Sequence, residues 1–243
     1  MRTLNFANRN LKEIIRDPLN LCFGLGFPLV LILLLSAIQA NVPVSLFEID
    51  ALSPGIAVFG MSFMTLFSAT LIAKDRGSAF LQRLYTTPMT AMDFIFGYTL
   101  PIIPVTVAQS AICYAVAIAL GLRVSVNILL AIALSVPISL LYIALGLLFG
   151  SILTDKQVGG ICGALLTNLS AWLSGTWFDL ELVGGAFRKI AYALPFVHAV
   201  EAERAALAGN FGEIFSHIVP VIAYSALAIA AAVLLFLRQM KRQ

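Results

Sequence analysis

Charge is what this chain most lacks. Asp, Glu, Lys and Arg make up only 11% of its 243 residues, against roughly 25% in a soluble globular domain. With 60% hydrophobic residues and a mean hydropathy of +0.98, it reads as an integral membrane protein. Cysteine and histidine are scarce too. Cys22, Cys113 and Cys162 lie far apart with no CxxC spacing, which argues against a disulfide framework or a metal site and for small packing residues. His198 and His217 stand alone in apolar company and read as packing or interfacial residues. No GxxxxGK[ST] is present, so the chain has no nucleotide-binding motif of its own. No charge falls in the middle of an apolar run, which disfavours ion-coupled secondary transport. The paired acids, Ser/His pair or ligand set of an intramembrane enzyme are missing as well.

What is there is length without charge. Asp17 to Glu48, Asp50 to Lys74, Asp93 to Arg123, Arg123 to Asp155, Lys156 to Asp179 and Glu213 to Arg238 each enclose more than 20 uncharged residues. A helix needs about 20 to cross ~30 Å of hydrocarbon. Six spans are therefore expected, near 19–39, 54–73, 94–119, 127–153, 158–178 and 217–237. The runs lack strand alternation, so the fold class is an all-α polytopic membrane protein, with the whole chain as a single transmembrane domain. The first run is too long for a signal-peptide core and lacks a cleavage site after it.

Six spans place both termini on one side. That side holds Arg2, Arg9, Lys12, Arg16, Lys74, Arg76, Arg83, Lys156, Arg238, Lys241 and Arg242, which is 11 of the 15 basic residues. The positive-inside rule makes it the cytoplasmic side. The net charge of +3 follows from this asymmetry and requires no nucleic-acid partner. Before the first span, residues 2–16 carry Leu4, Ala7, Leu11, Ile14 and Ile15 at helical spacing among basic residues. They read as an amphipathic helix in the membrane interface, its basic face toward anionic headgroups, with Pro18 turning the chain into the first span.

The polar interruption at 74–93 stands out. Phe80, Leu81, Leu84 and Tyr85 form one apolar stripe on a short helix, Pro88 breaks it, Thr87 is placed to cap the next turn, and Thr90-x-x-Asp93 starts a second helix. A short stripe of this kind, flanked by Lys74, Asp75, Arg76 and Arg83, has the anatomy of a docking element. The alternative is that it packs back on its own bundle or on headgroups.

The sequence RLYTTPMTAMDF in this segment resembles the link between spans 2 and 3 in permeases of type-2 ABC exporters. Residues 190–209, IAYALPFVHAVEAERAALAG, resemble that family's signature region before the last span. Length, topology and motif order agree along the whole chain. The resemblance implies that the segment is a coupling helix seated in a cytoplasmic ATPase subunit, with Arg76, Phe80, Leu81, Arg83, Leu84, Tyr85, Thr87 and Pro88 at the contact. It further implies two such ATPase subunits, a second permease copy forming a homodimer, and the cytoplasmic membrane of a bacterium or archaeon. No cofactor would bind this chain itself; ATP and Mg would sit on the partner. Export of a hydrophobic or amphipathic substrate, such as a drug-like compound, peptide or lipid-linked product, is expected on this ground. A glycan or lipid-linked polymer exporter and a non-transporting assembly subunit remain alternatives.

Between the last two spans, residues 179–216 are irregular. Pro195 can start a helix over 196–208 that Gly209 ends, with Glu201 and Arg204 three apart and able to pair, and Glu203 near them. The segment re-enters the bilayer or lies on its surface. The resemblance implies an outer gate at Pro195, Glu201 and Arg204. Phe59, Phe63, Phe67 and Trp172 are candidates for a translocation path or for lipid contact. Gly146-x-x-x-Gly150 and Gly159-x-x-x-Gly163 allow close helix contact. Pro101 and Pro104 mark span 3 as a helix that can bend.

Overall fold

A computed structural model describes residues 2–42, 47–78, 80 and 90–240, and every regular element among them is helical. In chain order these are α1 (Arg2–Ile15), α2 (Pro18–Gln39), α3 (Ile49–Gly77), α4 (Ala91–Ala119), α5 (Asn127–Gly150), α6 (155–173), a single turn at Leu180–Val183, α7 (Gly185–Ala193), α8 (Pro195–Ala208) and α9 (Phe211–Met240). Five helices, α2 to α5 and α9, are long and apolar enough to cross a membrane. Six were expected. The expected fifth, 158–178, is a shorter helical run that starts at a Thr154–Gln157 capping box, is π-helical over Gly159–Leu166 and ends at Leu173. Beyond it the backbone turns at Gly175, whose φ of +69° suits glycine.

Helix boundaries follow local chemistry. Thr90 and Asp93 form the expected capping box of α4: the Asp93 N–H donates to Thr90 Oγ1 and the Thr90 N–H to Asp93 Oδ2. Pro101 interrupts α4 after Thr99, because proline lacks an N–H and crowds the preceding turn. Pro195 opens α8, and Gly209 closes it at φ +81°. The expected second span ended at residue 73, but α3 continues to Gly77, so Lys74, Asp75 and Arg76 are the last turn of that helix.

α3 is the hub. Nearly all of its membrane-length window is buried, whereas α2 and α9 are largely exposed. α5 lies closest to it. A Cβ on Gly146 would come within 2.6 Å of the Thr65 carbonyl and the Ser68 Cβ, and one on Gly150 within 2.8 Å of the Ala69 carbonyl. Close approach lets Thr65 Oγ1 donate to the Tyr142 carbonyl at 2.9 Å and Ser68 Oγ to that of Ile143 at 3.2 Å. The second small-residue pair differs: Gly163 touches Leu66, and Gly159 meets nothing within 4 Å.

α1 docks on α4 by a face that shares only Ala7 and Ile14 with the expected stripe and adds Phe6 and Asn10. Phe6, Ala7, Asn10 and Ile14 are buried, while Leu4 and Ile15 are exposed. Phe6 sits where any side chain at Gly97 would overlap its ring, and packs edge-on to Tyr98. Asn10 donates to the Gly97 carbonyl at 2.9 Å. The apolar residues thus divide between a protein-facing set and an outward set.

Candidate functional site

Two clusters sit at opposite ends of the bundle. At the end carrying α1, the α3 terminus is tied down by its charges. Asp75 is buried, accepting from Arg9 at 2.6 Å and from the Tyr98 hydroxyl at 2.8 Å. Lys74 pairs with Asp17 at 3.3 Å. The Arg76 guanidinium donates to the carbonyls of Ser151, Ile152 and Leu153, which satisfies the carbonyls beyond the end of α5. These charges were expected to flank a docking stripe; in the structure they bind α1, α3, α4 and α5 to one another. The physical reason is that a charge at a helix end facing other helices must be paired.

Phe80 is the one residue of the expected stripe that is described. Arg9 lies 4.3 Å over its ring, and Phe6 is 6.2 Å away. Leu81, Arg83, Leu84, Tyr85, Thr87 and Pro88 lie outside the described residues. They fall between Gly77, which ends α3 beside this cluster, and Thr90, the N-cap of α4.

At the opposite end, α8 is buried against α3, α5 and α9. Arg204 pairs with Glu201 at 2.8 Å and donates to the Gly175 carbonyl at 3.0 Å. Both side chains edge a cavity of roughly 310 Å³ with Phe47, Thr176, Trp177 and Tyr192. Pro195, the third residue expected there, is buried at the start of α8. Of the aromatic candidates, Phe59, Phe63 and Phe67 are buried inside the bundle. Phe59 packs edge-on to Phe63 and Trp177, and the Phe67 ring lies against Gly24. Trp172 is half exposed and separate from them.

Sequence reasoning missed two features. His198 and His217 are not solitary: their Nδ1 atoms are 3.1 Å apart across α8 and α9, and His198 Nε2 lies 3.1 Å from the Tyr192 carbonyl. With Nε2–H donating to that carbonyl, neutral His198 accepts at Nδ1 from His217. Glu203 is the other. It is fully buried, and its Oε2 accepts from the Tyr114 hydroxyl of α4 at 2.7 Å. The signal was present in the pattern: 203 falls on the helical face of Phe196, Ala199 and Val200, all buried.

The helices and their burial define a polytopic α-helical membrane protein. The chain matches the ABC-2 type transporter family over residues 3–208, most of its length, and belongs to that family. It is accordingly the membrane permease of an ABC transporter, a family whose permeases work with an ATPase partner. No curated protein matches the sequence significantly.

Proposed function

We propose that the chain is one half of an ATP-driven exporter: a six-span permease that acts as a homodimer on two ATPase subunits. The run 155–173 is a continuous helix of 19 residues, close to the roughly 20 that a span needs, which supports counting α6 as the remaining span. Both termini then lie on the basic, cytoplasmic face. Residues 80–88 are the coupling element, and ATP and Mg belong to the partner. The observation that carries this reading is family membership together with the place of the 78–90 segment. It joins α3 and α4 at the end where Asp75, Lys74 and Arg76 lock the helices together, so a push on it moves the helices as a unit. α8 is a re-entrant outer gate on this reading, with Pro195, Glu201 and Arg204 shaping its cavity. The cargo is a hydrophobic or amphipathic molecule, consistent with spans that carry no charge at mid-depth.

The test is co-purification from the native host. An ATPase subunit is expected to accompany the tagged permease, and Leu84→Asp is expected to release it from a still-folded protein. Retention of the ATPase by Leu84→Asp and by the Thr87→Ala/Pro88→Ala pair would remove the docking role from this segment.

A further inference from the structure

Glu203 is a carboxyl group in the least hospitable place in the molecule. Its exposure is 0%. One oxygen accepts from Tyr114; the other, Oε1, has no hydrogen-bond partner among the described residues. Arg204, next in sequence, points elsewhere, to Glu201 and the Gly175 carbonyl. Within electrostatic reach are Tyr114 and Cys113 of α4 and Tyr142 of α5, all groups that are ordinarily neutral at pH 7. Among the described residues no Lys, Arg or His forms an ion pair with it. A carboxylate buried without a cation and with a single donor is strongly disfavoured. The neutral acid is therefore the form that fits. Because Oε2 receives the phenol proton, the acid proton belongs on Oε1.

Two more unmade bonds lie on α4, within about one turn of Tyr114. Gln109 Oε1 and Ser110 Oγ are likewise buried without partners, on the same α4 face as Cys113 and Tyr114. Gln109 in turn fills the space beside Gly60 of α3 and donates to the Ala57 carbonyl at 3.4 Å. The contact between α4 and its neighbours is thus polar and incompletely satisfied, which is a poor permanent packing surface and a good one for an interface that changes.

We propose that Glu203 and Tyr114 form a proton-held latch between α8 and α4. Protonated, Glu203 keeps α8 seated in the bundle; loss of the proton places a charge in the seat and loosens it. α4 is the helix that leaves the 78–90 segment, so the latch ties that helix to α8 at the opposite end. The sign is fixed by the chemistry. Burial raises the folded-state value of Glu203, with the Tyr114 hydrogen bond acting the other way. The seat is therefore fully stable below the ordinary carboxylate range and weakens as pH rises through the raised folded value.

The test uses the intact permease in lipid nanodiscs, without ATPase or cargo, so it stands apart from the transport reading. Infrared difference spectra between pH 5 and 9 are expected to show the carbonyl stretch of a buried protonated acid in the wild type and not in Glu203→Gln. Amide exchange across 195–208, corrected for its intrinsic pH dependence, is expected to rise by at least about tenfold over that range in the wild type. It should stay flat and low in Glu203→Gln and be raised at all pH values in Tyr114→Phe. Absence of the acid band at every pH, or a Glu203→Gln protein with the same exchange response as wild type, overturns the latch. Should Glu203→Gln fail to fold, the wild-type band and the Tyr114→Phe exchange decide alone: an absent band or unchanged exchange overturns it.

Discussion

A single methyl group at position 146 has nowhere to go. It would press on the Thr65 carbonyl, which is backbone and cannot rotate away. Gly146→Ala gains up to about 1 kcal/mol in helix propensity but incurs about 1–3 kcal/mol of overpacking. The clash wins, and the variant should melt at a lower temperature in detergent. Gly159→Ala meets open space and should melt at the wild-type temperature or slightly above. The two glycines are equivalent as letters in a small-xxx-small pattern. What separates them is which neighbour each faces, and that is set by α3, about 80 residues away along the chain for Gly146.

At the scale of elements, the junction of α1 with α3 and α4 rests on Asp75. Losing its charge leaves Arg9 without its ion-pair partner and the Tyr98 hydroxyl with a weaker acceptor. Arg9 is about a third exposed, so the pair contributes less than the roughly 3–5 kcal/mol lost on breaking a fully buried one. A coupling energy of about 1–2 kcal/mol is expected from the cycle of Asp75→Asn, Arg9→Met and the double variant. Amide exchange over residues 3–15 should rise in all three, and no further in the double variant than in the worse single one. Helix starts and stops were legible where the signal is local: Thr90 with Asp93, Pro195, Gly209. The role of Asp75 was not, because its partners lie 66 and 23 residues away. Glu203 went unread for the same reason, since Tyr114 is 89 residues distant. The amphipathic face of α1 was half legible: periodicity finds apolar residues but cannot say which of them meet protein and which meet lipid.

At the scale of the whole molecule, the charge asymmetry predicts an orientation that can be measured. In a background without Cys22, Asn41→Cys should react with a membrane-impermeant maleimide added to intact cells, and Lys156→Cys only after the cells are opened. Reaction of Lys156→Cys from outside, with Asn41→Cys reacting only after the cells are opened, would reverse that topology. Composition alone identified a helical membrane protein, and the uncharged runs placed five long helices. They ran past the end of the expected fifth, because a run free of charge is not the same as a helix: Gly175 and the Ser174–Thr176 turn end α6 at Leu173 rather than at 178.

α3 runs through the middle of this molecule and touches almost no lipid. Its solvent is other protein, so it should follow the mutational rules of a water-soluble core. Ser62, Thr65 and Ser68 are buried along it with their hydroxyls donating to carbonyls, and an apolar swap that keeps side-chain volume should be tolerated at its apolar positions better than a change of volume or of polarity. On the outward faces of α2 and α9 the rule inverts. Any apolar side chain of any size will do at Leu33 or Leu234, both half or more exposed, and a charge will not. A map of tolerated substitutions across the chain would then trace which helix surfaces meet lipid and which meet protein, without any structure being solved.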